Sequence, residues 1–479
     1  MRITPMDLNW LLLERAESPA HVACLAECTP PDGALATFVA DLVAGWRAQA
    51  TFAEPFNRRP RLLPVPTWDV LDDDEVDLDY HFRHSALPAP GGERELGILV
   101  SRLHSHPLDR RRPLWELHII EGLGDGRFAM YLKVHHSLMD GVAGIRMLGR
   151  ALSSDPHARD RPPIWALGSS APRVAEGAPT VDAAPPSKAT PVRRALATPV
   201  RSAQGLRRAA VSGRGLARIS TTQSLHALRP RNRDVAIPFR APMSPLNGCI
   251  HGPRRFATQH YSLERVKALS KEAGVTINDV LLGLCSGALR RYLSGIGELP
   301  DRSLTATLPV SVRLENDESG GNAITFIHAR LATDVEHPAQ RLERIAASTR
   351  HAKSVLGRLP RGAMNAYTMM LMAPYMTQLA VGLGGRTTPM HNVVVSNVPG
   401  PRNPRYIEGA VVDQLYPLSV LFNGQALNVT IISYAGTLCI GFTGCRDSLP
   451  SMQRIAVFAG EALAELEQDV RAAAASVGP

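Results

Sequence analysis

Two adjacent histidines, His135 and His136, open the stretch HHSLMDG, which follows the apolar run FAMYLKV. The length and composition of that run predict a buried strand. Side chains of successive strand residues point to opposite faces, so the two imidazoles cannot both face one site. We expect one histidine to act and the other to pack, and the alternation alone leaves open which of them does which.

An imidazole at the end of a strand is suited to proton transfer, because its pKa lies near neutral pH. A hydroxyl that attacks a thioester needs a base to take its proton, whereas the departing thiol, with a pKa of about 8.5, needs little help from an acid. One histidine could therefore support direct acyl transfer. The chain contains no GxSxG stretch, so a serine acyl-enzyme has no sequence support. A histidine pair that only packs inside a strand stays open as the structural alternative.

The same stretch ends with an acid and a glycine. Asp140 stands where a carboxylate could accept hydrogen bonds from the loop or contact a cation. Gly141 predicts a backbone turn into a following helix, because glycine adopts conformations that other residues avoid. These two residues favour one imidazole presented on a rigid turn.

Histidines and cysteines elsewhere in the chain do not predict a metal site. The chain has sixteen histidines, enough to produce spacings such as HFRH and HSHPLD by chance. Its six cysteines are scattered, mostly inside apolar runs, with no CxxC pair and no signal peptide ahead of them. We therefore expect buried cysteines in a reducing cytoplasm and no bound metal ion.

The length of 479 residues exceeds one ordinary core and predicts two large domains. A hydrophobic fraction of 44% with 20% charged residues is typical of globular proteins. Helix and strand signals alternate over residues 1–160 and again over 246–479, which predicts two α/β domains. The first of them carries HHSLMDG.

Residues 161–245 between these domains are rich in Pro, Ala, Arg and Ser, and they predict a linker. Eleven Lys or Arg and no Asp or Glu lie between Lys188 and Arg233, more positive charge than the net +9 of the whole chain. Each cation held near an anionic bilayer contributes about 1 kcal/mol. We predict that this linker contacts an anionic membrane, with a solvated linker that has no partner as the alternative.

No segment of the sequence predicts a membrane span. The stretch from Gly362 to Gly385 is uncharged, but polar residues and Pro374 interrupt it, and a span needs about 20 predominantly apolar residues. Its five methionines predict a Met-rich helical region with a break at Pro374. Those methionines could line a lipid-facing wall or contact a membrane, or they could belong to an ordinary core.

Five ordered stretches resemble the bacterial wax ester synthase/diacylglycerol acyltransferase family. They are PLDRRRPLWELHIIEGL, KVHHSLMDG, INDVLLGLCSGALRRYL, LPVSVR followed by GGN, and NVVVSNVPGPRNP. With PMDLNWLLLE at the start, the resemblance covers nearly the whole chain except the linker. It places the chain among the CoA-dependent acyltransferases that share HHxxxDG with condensation domains. It implies an α/β fold in which two similar mixed-sheet domains face each other across a substrate tunnel.

The resemblance implies an O-acyltransferase that moves a fatty acyl group from acyl-CoA to a long-chain alcohol or diacylglycerol, with no cofactor beyond acyl-CoA as co-substrate. It implies that His136 is the general base, that His135 and Asp140 shape the turn, and that Gly141 keeps the approach open. Asn278, from the second domain, would support the site or the developing oxyanion. We expect the PLW and SNVPG motifs to be scaffolding.

Two rival functions remain. A freestanding condensation domain would join carrier-bound acids, but the chain shows no recognisable carrier segment. A nucleic-acid-binding protein would use the basic segment, but that segment has no aromatic residue to stack on bases. We therefore expect acyl-CoA and a lipid acceptor as partners, with no nucleic acid. We also expect a cytoplasmic enzyme, peripheral at the inner face of the membrane or on lipid inclusions.

Overall fold

The computed structural model describes residues 1–168, 235–311, 324–359 and 363–476. Within these ranges the chain forms two mixed six-stranded sheets, a two-stranded sheet and ten α-helices. The predicted α/β class with two mixed-sheet domains is confirmed. The basic segment from Lys188 to Arg233 lies outside the described residues.

The first part of the chain supplies five helices and six strands. The helices are α1 (Pro5–Leu13), α2 (Phe38–Arg47), α3 (Leu78–His81), α4 (Glu93–Ser105) and α5 (Gly141–Ala151). The strands are β1 (His21–Thr29), β2 (Arg58–Arg61), β3 (Thr67–Val70), β4 (Phe82–Ala86), β5 (Trp115–Glu121) and β6 (Phe128–His135).

The second part supplies five helices and eight strands. The helices are α6 (Leu263–Glu272), α7 (Ile277–Gly295), α8 (Pro338–Gly357), α9 (Met364–Ala380) and α10 (Arg454–Ser476). The strands are β7 (Arg254–Ser262), β8 (Thr305–Ser311), β9 (Ile324–Arg330), β10 (Val393–Pro399), β11 (Tyr406–Ile407), β12 (Ala410–Leu418), β13 (Leu427–Tyr434) and β14 (Thr437–Cys445).

The first sheet has the strand order β11-β12-β1-β6-β5-β4, and the second has the order β7-β14-β13-β10-β8-β9. The run FAMYLKV forms β6, as predicted, and every residue of that strand is buried. A central strand covered on both faces needs such a continuous apolar run, because both of its side-chain rows pack against other elements. The strand therefore delivers the histidine pair from inside the core.

The first core extends beyond residue 160. The side chains of Ile164 and Trp165 are buried in it, and the indole of Trp165 stacks against that of Trp115, with 5.7 Å between ring centroids. The start of the predicted linker therefore packs as part of the first domain. The division into residues 1–160, 161–245 and 246–479 otherwise stays a prediction.

Helix α9 corrects one expectation. It runs without interruption from Met364 to Ala380 with Pro374 inside it, so the predicted break at this proline is wrong. Its inward face packs in an apolar cluster, and this packing compensates for the backbone hydrogen bond that a proline cannot donate. Across the described ranges, no helix combines the length and apolarity that crossing a bilayer requires.

Strand β12 joins the two sheets. It lies in the second part of the chain, yet it pairs antiparallel with β1 of the first sheet, where Leu418 is the partner of Ala23. Close by, Gly441 of β14 passes the backbone of β12, and a Cβ added to Gly441 would lie 1.8 Å from the carbonyl oxygen of Pro417. The two strands can approach this closely only because Gly441 has no side chain.

Gly441→Ala should therefore lower the free energy of unfolding by about 1–3 kcal/mol, because the added methyl group must push the two strands apart. Gly45→Ala is the matched control, since Gly45 lies within α2 and its added Cβ meets no atom within 4 Å. The control should gain up to about 1 kcal/mol from the better helix propensity of alanine. Urea unfolding followed by tryptophan fluorescence measures both, and equal stability of the two variants would contradict the close approach.

Candidate active site

The histidine motif spans the end of β6, a tight turn and the start of α5. The strand ends at His135, and His136 already belongs to the turn, so strand alternation no longer governs its direction. The backbone N–H of His136 donates to the carbonyl of Ala20, at 2.8 Å, just ahead of β1. The carboxylate of Asp140 caps α5 by accepting from the Ala143 N–H at 2.7 Å, so its observed donor lies in the first turn of the helix rather than in the loop.

Gly141 does not play the backbone role expected of it. It begins α5 without a positive φ, so the turn does not require glycine there, and that expectation is wrong. An added Cβ at this position would meet no atom within 4 Å. Glycine therefore leaves free space beside the motif rather than enabling its turn.

His135 is fully buried and holds the turn together. Its Nδ1 accepts the backbone N–H of Ser137 at 3.1 Å, and the Ser137 hydroxyl lies 2.6 Å from the same atom. Because Nδ1 accepts, the ring proton of the neutral form is on Nε2, which lies 3.6 Å from Oε2 of Glu14. This histidine therefore links the turn to the end of α1.

Glu14 is the buried carboxylate on which these contacts converge. Its Oε1 accepts the Ala20 N–H at 3.0 Å, and its Oε2 accepts from the guanidinium of Arg110 at 2.7 and 2.8 Å. Burial alone would raise the pKa of Glu14. The contacts with His135, the Ala20 N–H and Arg110 outweigh it and lower the pKa to about 2. The carboxylate is therefore charged throughout the neutral range.

His136 is half-buried and stacks on the indole of Trp10. The two ring centroids lie 4.0 Å apart and the ring planes differ by 12°. Burial lowers the pKa of His136 to about 4, so at neutral pH the ring is uncharged and can accept a proton. Trp10 precedes Glu14 by four residues, one helical turn, so α1 and its cap contact both histidines of the motif.

Asn278 lies in the first turn of α7, where Thr276 caps the helix. Its Oδ1 accepts from Nδ2 of Asn397, at 2.8 Å, in the SNVPG stretch of β10. The neighbouring Asp279 is buried, and its carboxylate accepts the hydroxyls of Thr276 and Thr349. Asp279 is therefore a structural cap, whereas the exposed Asn278 faces a pocket.

That pocket has a volume of about 510 Å³, including space open to solvent. Its polar side holds Asn278, Asn397, Thr349, the buried Asp279 and the exposed ammonium group of Lys353. Its remaining wall is mainly apolar, with Leu281, Leu282, Leu308, Val310, Ile327, Val395 and Ile431. The pocket thus combines one exposed cation, two amides, a buried carboxylate already bonded to the Thr349 hydroxyl, and an apolar wall.

Two observations relate this pocket to the histidine motif. The apolar cluster under α9 includes Ile327 of the pocket wall, and Leu308 and Trp10 pack against the same cluster. Helix α5, which begins directly after the motif, contacts β10, which carries Asn397. Part of the pocket wall and Trp10, which stacks on His136, thus pack in one apolar cluster.

The other histidine spacings are structural. The Nδ1 atom of His81 bonds the Trp115 carbonyl at 2.8 Å, and Nδ1 of His104 bonds the Tyr131 hydroxyl at 3.0 Å, both inside the core. In the part of the chain that the structure describes, no group of three or more His, Cys, Asp or Glu side chains could hold a metal ion.

Sequence reasoning missed several residues of this site. Trp10 and Glu14 lie in the stretch PMDLNWLLLE, which supports the resemblance but predicts no site residue. Their spacing of four, with a buried acid at the end of an apolar helix, was the available signal. Lys353 gave no signal, because a single lysine on an amphipathic helix is ordinary.

The chain belongs to the wax ester synthase/diacylglycerol acyltransferase family. Residues 3–281 match the wax ester synthase/diacylglycerol acyltransferase catalytic domain, and residues 320–467 match the WS/DGAT C-terminal domain. The protein is therefore an O-acyltransferase, as the sequence resemblance predicted, and acyl transfer to alcohols or diacylglycerol is the activity of its class.

Individual relatives agree over nearly the whole chain. A relative from Mycobacterium tuberculosis, named a putative diacylglycerol O-acyltransferase, is 45% identical over 97% of each chain. The O-acyltransferase WSD of Acinetobacter baylyi is 39% identical over 98% of this chain and 95% of its own. The wax ester synthase/diacylglycerol acyltransferase from Marinobacter aquaeolei VT8 superposes with a TM-score of 0.77 at 35% identity, over 98% of this chain and all of that one.

A more distant solved structure shares the fold. The first condensation domain of the calcium-dependent antibiotic synthetase has a TM-score of 0.56 at 18% identity and covers 98% of this chain. That likeness concerns the fold alone.

Glu14→Gln should lower the free energy of unfolding by up to about 3 kcal/mol at pH 7, because the charged carboxylate and its partners lose their attraction. The native pKa of Glu14 lies below the unfolded value, so its stabilising effect is complete above about pH 4.5 and disappears as the pH falls through about 2. The difference between wild type and variant should shrink accordingly in urea unfolding at pH 7, 4 and 3. The exposed Glu17→Gln is the control, and a loss that does not change with pH would contradict the assignment.

Proposed function

We propose that the protein transfers a fatty acyl group from acyl-CoA directly to the hydroxyl of a long-chain alcohol or of diacylglycerol, with His136 as general base. The observation that carries the proposal is the neutral imidazole of His136, stacked on Trp10 at the end of a buried strand. Membership in an acyltransferase family supports the proposal. So does the histidine motif, since an imidazole can take the proton of a hydroxyl that attacks a thioester.

In the proposed reaction the acyl group passes directly from CoA to the acceptor, and no acyl-enzyme forms. The His136 ring takes the proton of the acceptor hydroxyl as its oxygen bonds to the thioester carbonyl carbon. The tetrahedral intermediate collapses, the C–S bond breaks, and the CoA sulfur leaves and receives the proton from His136. The products are an ester and free CoA thiol, so atoms and charge balance without a metal ion or a prosthetic group.

We assign the neighbouring motif residues to positioning. His135 and Asp140 fix the two ends of the turn, through Ser137 and the first turn of α5, so that His136 keeps its place. Asn278 has its Oδ1 engaged by Asn397, and we propose that its Nδ2–H donates to the oxygen of the thioester carbonyl as negative charge develops there.

The pocket at Asn278 suits the donor, because acyl-CoA is anionic at one end and apolar at the other. The phosphates would lie near the exposed ammonium of Lys353, the pantetheine amides near Asn278 and Asn397, and the acyl chain along the apolar wall. The acceptors are insoluble in water, so we further propose that the enzyme works in peripheral contact with an anionic membrane or a lipid droplet in the cytoplasm.

His136→Ala should reduce turnover by about 10²–10⁴-fold, the usual contribution of general-base catalysis, with little change in unfolding temperature. Purified protein is given palmitoyl-CoA with hexadecanol and, in parallel, with diacylglycerol, and the esters are separated by thin-layer chromatography. His157→Ala, at an exposed histidine, is the matched control and should keep full activity.

His135→Ala should mainly destabilise the protein, because His135 is buried between Ser137 and Glu14. Unlike His136→Ala, it should lose more stability than turnover per folded molecule.

Full activity of a folded His136→Ala protein would refute the mechanism. Absence of ester product from wild-type protein with both acceptors would refute the proposed function.

Lys353→Gln should raise KM for palmitoyl-CoA by about fivefold, the effect of one exposed charge contact. It should leave KM for palmitoyl-pantetheine unchanged, because that donor has the amides and the thioester but no phosphate. Lys267→Gln, on the exposed surface of α6, is the control for a general loss of positive charge. An equal rise in KM with both donors would show that Lys353 does not contact the CoA phosphates.

A further inference from the structure

Helix α9 presents an outward face without charge. Its inward face consists of Tyr367, Leu371, Tyr375 and Leu379, which repeat every four residues and are buried. The exposed side chains on the outward face are Ala366, Met369, Met370, Ala373, Pro374, Thr377 and Ala380. A surface helix normally carries charged or polar residues on its solvent side, so an outward face of this composition marks a surface that another body covers.

The apolar surface continues beyond the helix. Met369 is 68% exposed, and Val381, directly after α9, is 62% exposed. Helix α1 lies alongside, because Nδ2 of Asn9 contacts the sulfur of Met376 at 3.8 Å and Arg15 donates to the carbonyl of Ala380 at 3.2 Å. On α1, Leu12 adds a further exposed apolar side chain. We call this surface, formed by the outward sides of α9 and α1, the apolar face.

The charge in the sequence around α9 has one sign, whereas α1 contributes a single, partly buried acid, Asp7. From Arg344 to Ile407 the sequence contains eight Lys or Arg residues and no Asp or Glu. Arg358 precedes α9, Arg386 follows it, and both are exposed. An apolar strip with cations at both ends is complementary to a surface that is apolar inside and anionic at its boundary.

We propose that the apolar face docks on the anionic surface of a phospholipid layer, with its methionines among the acyl chains and its flanking cations among the phosphates. Two other occupants fit less well, because each would bring positive charges together. A second copy of this chain would oppose the same cations, and the linker from Lys188 to Arg233 carries eleven cations and no acid.

Docking in this orientation has a catalytic consequence, which rests on the proposed function. Helix α1 contributes Leu12 to the apolar face and, through Trp10, contacts the ring of His136. The lipid layer would therefore lie against the helix that holds the proposed base. A hydroxyl-bearing lipid could reach the site from the layer without crossing water.

The test compares flotation of the full chain with vesicles of phosphatidylcholine and phosphatidylglycerol. Met369→Glu with Ala373→Glu places two acids on the apolar face and should lower the vesicle partition coefficient by more than about tenfold. Ile98→Glu with Val457→Glu is the matched control, because both residues are exposed and apolar and lie on the helices α4 and α10. The control should float like wild type, and circular dichroism should show that both variants are folded.

Three further measurements separate this proposal from its rivals. Ester formation from hexadecanol dispersed in detergent should be unchanged in the Met369/Ala373 variant, so that failure of flotation and failure of catalysis are distinguished. A linker variant with Arg193, Arg194, Arg201, Arg207 and Arg208 changed to Gln should still float through the apolar face, even though the sequence predicts that the linker also contacts the membrane. Flotation that is lost in the linker variant but retained in the Met369/Ala373 variant would overturn the proposal. A dimeric wild type together with a monomeric Met369/Ala373 variant that floats normally would also overturn it, because the apolar face would then be a dimer interface.

Discussion

The buried carboxylate of Glu14 is the contact on which the site depends. A charged group inside a core is stable only when other groups replace its lost hydration, and here an imidazole, a backbone N–H and a guanidinium do so. These partners come from the histidine turn, from the segment ahead of β1 and from the stretch before β5. The Glu14 carboxylate therefore holds together three segments that are far apart in sequence.

The same helix end also shapes the chemistry of the neighbouring ring. Trp10 stacks on His136, and the burial of this imidazole lowers its pKa, which keeps the ring neutral near pH 7. A neutral ring is the form that can take a proton, although its basicity is lower than that of a solvated histidine. Burial thus keeps the ring neutral near pH 7 but makes it a weaker base, so proximity to the bound hydroxyl must supply the remainder of the rate.

Much of the architecture could be predicted from the sequence, because local patterns determine it. The apolar run FAMYLKV predicted β6, and the ordered motifs predicted the family and its two mixed sheets. Predictions failed where distant packing overrides local preference: Pro374 lies within an intact helix, and Trp165 packs in the first core beyond the expected boundary. Trp10 and Glu14 were missed for a related reason, since only the folded chain brings α1 to the histidines.

Strand β12 also determines the order in which this protein can fold. Strand β1 needs β12 as its second neighbour, and their paired residues Ala23 and Leu418 are separated by most of the chain. On the ribosome, the first sheet must wait with an open edge until nearly the whole polypeptide has emerged, and open edges invite pairing with other chains. The amino-terminal half therefore cannot complete its sheet by itself, and the nascent chain needs protection from aggregation until β12 arrives.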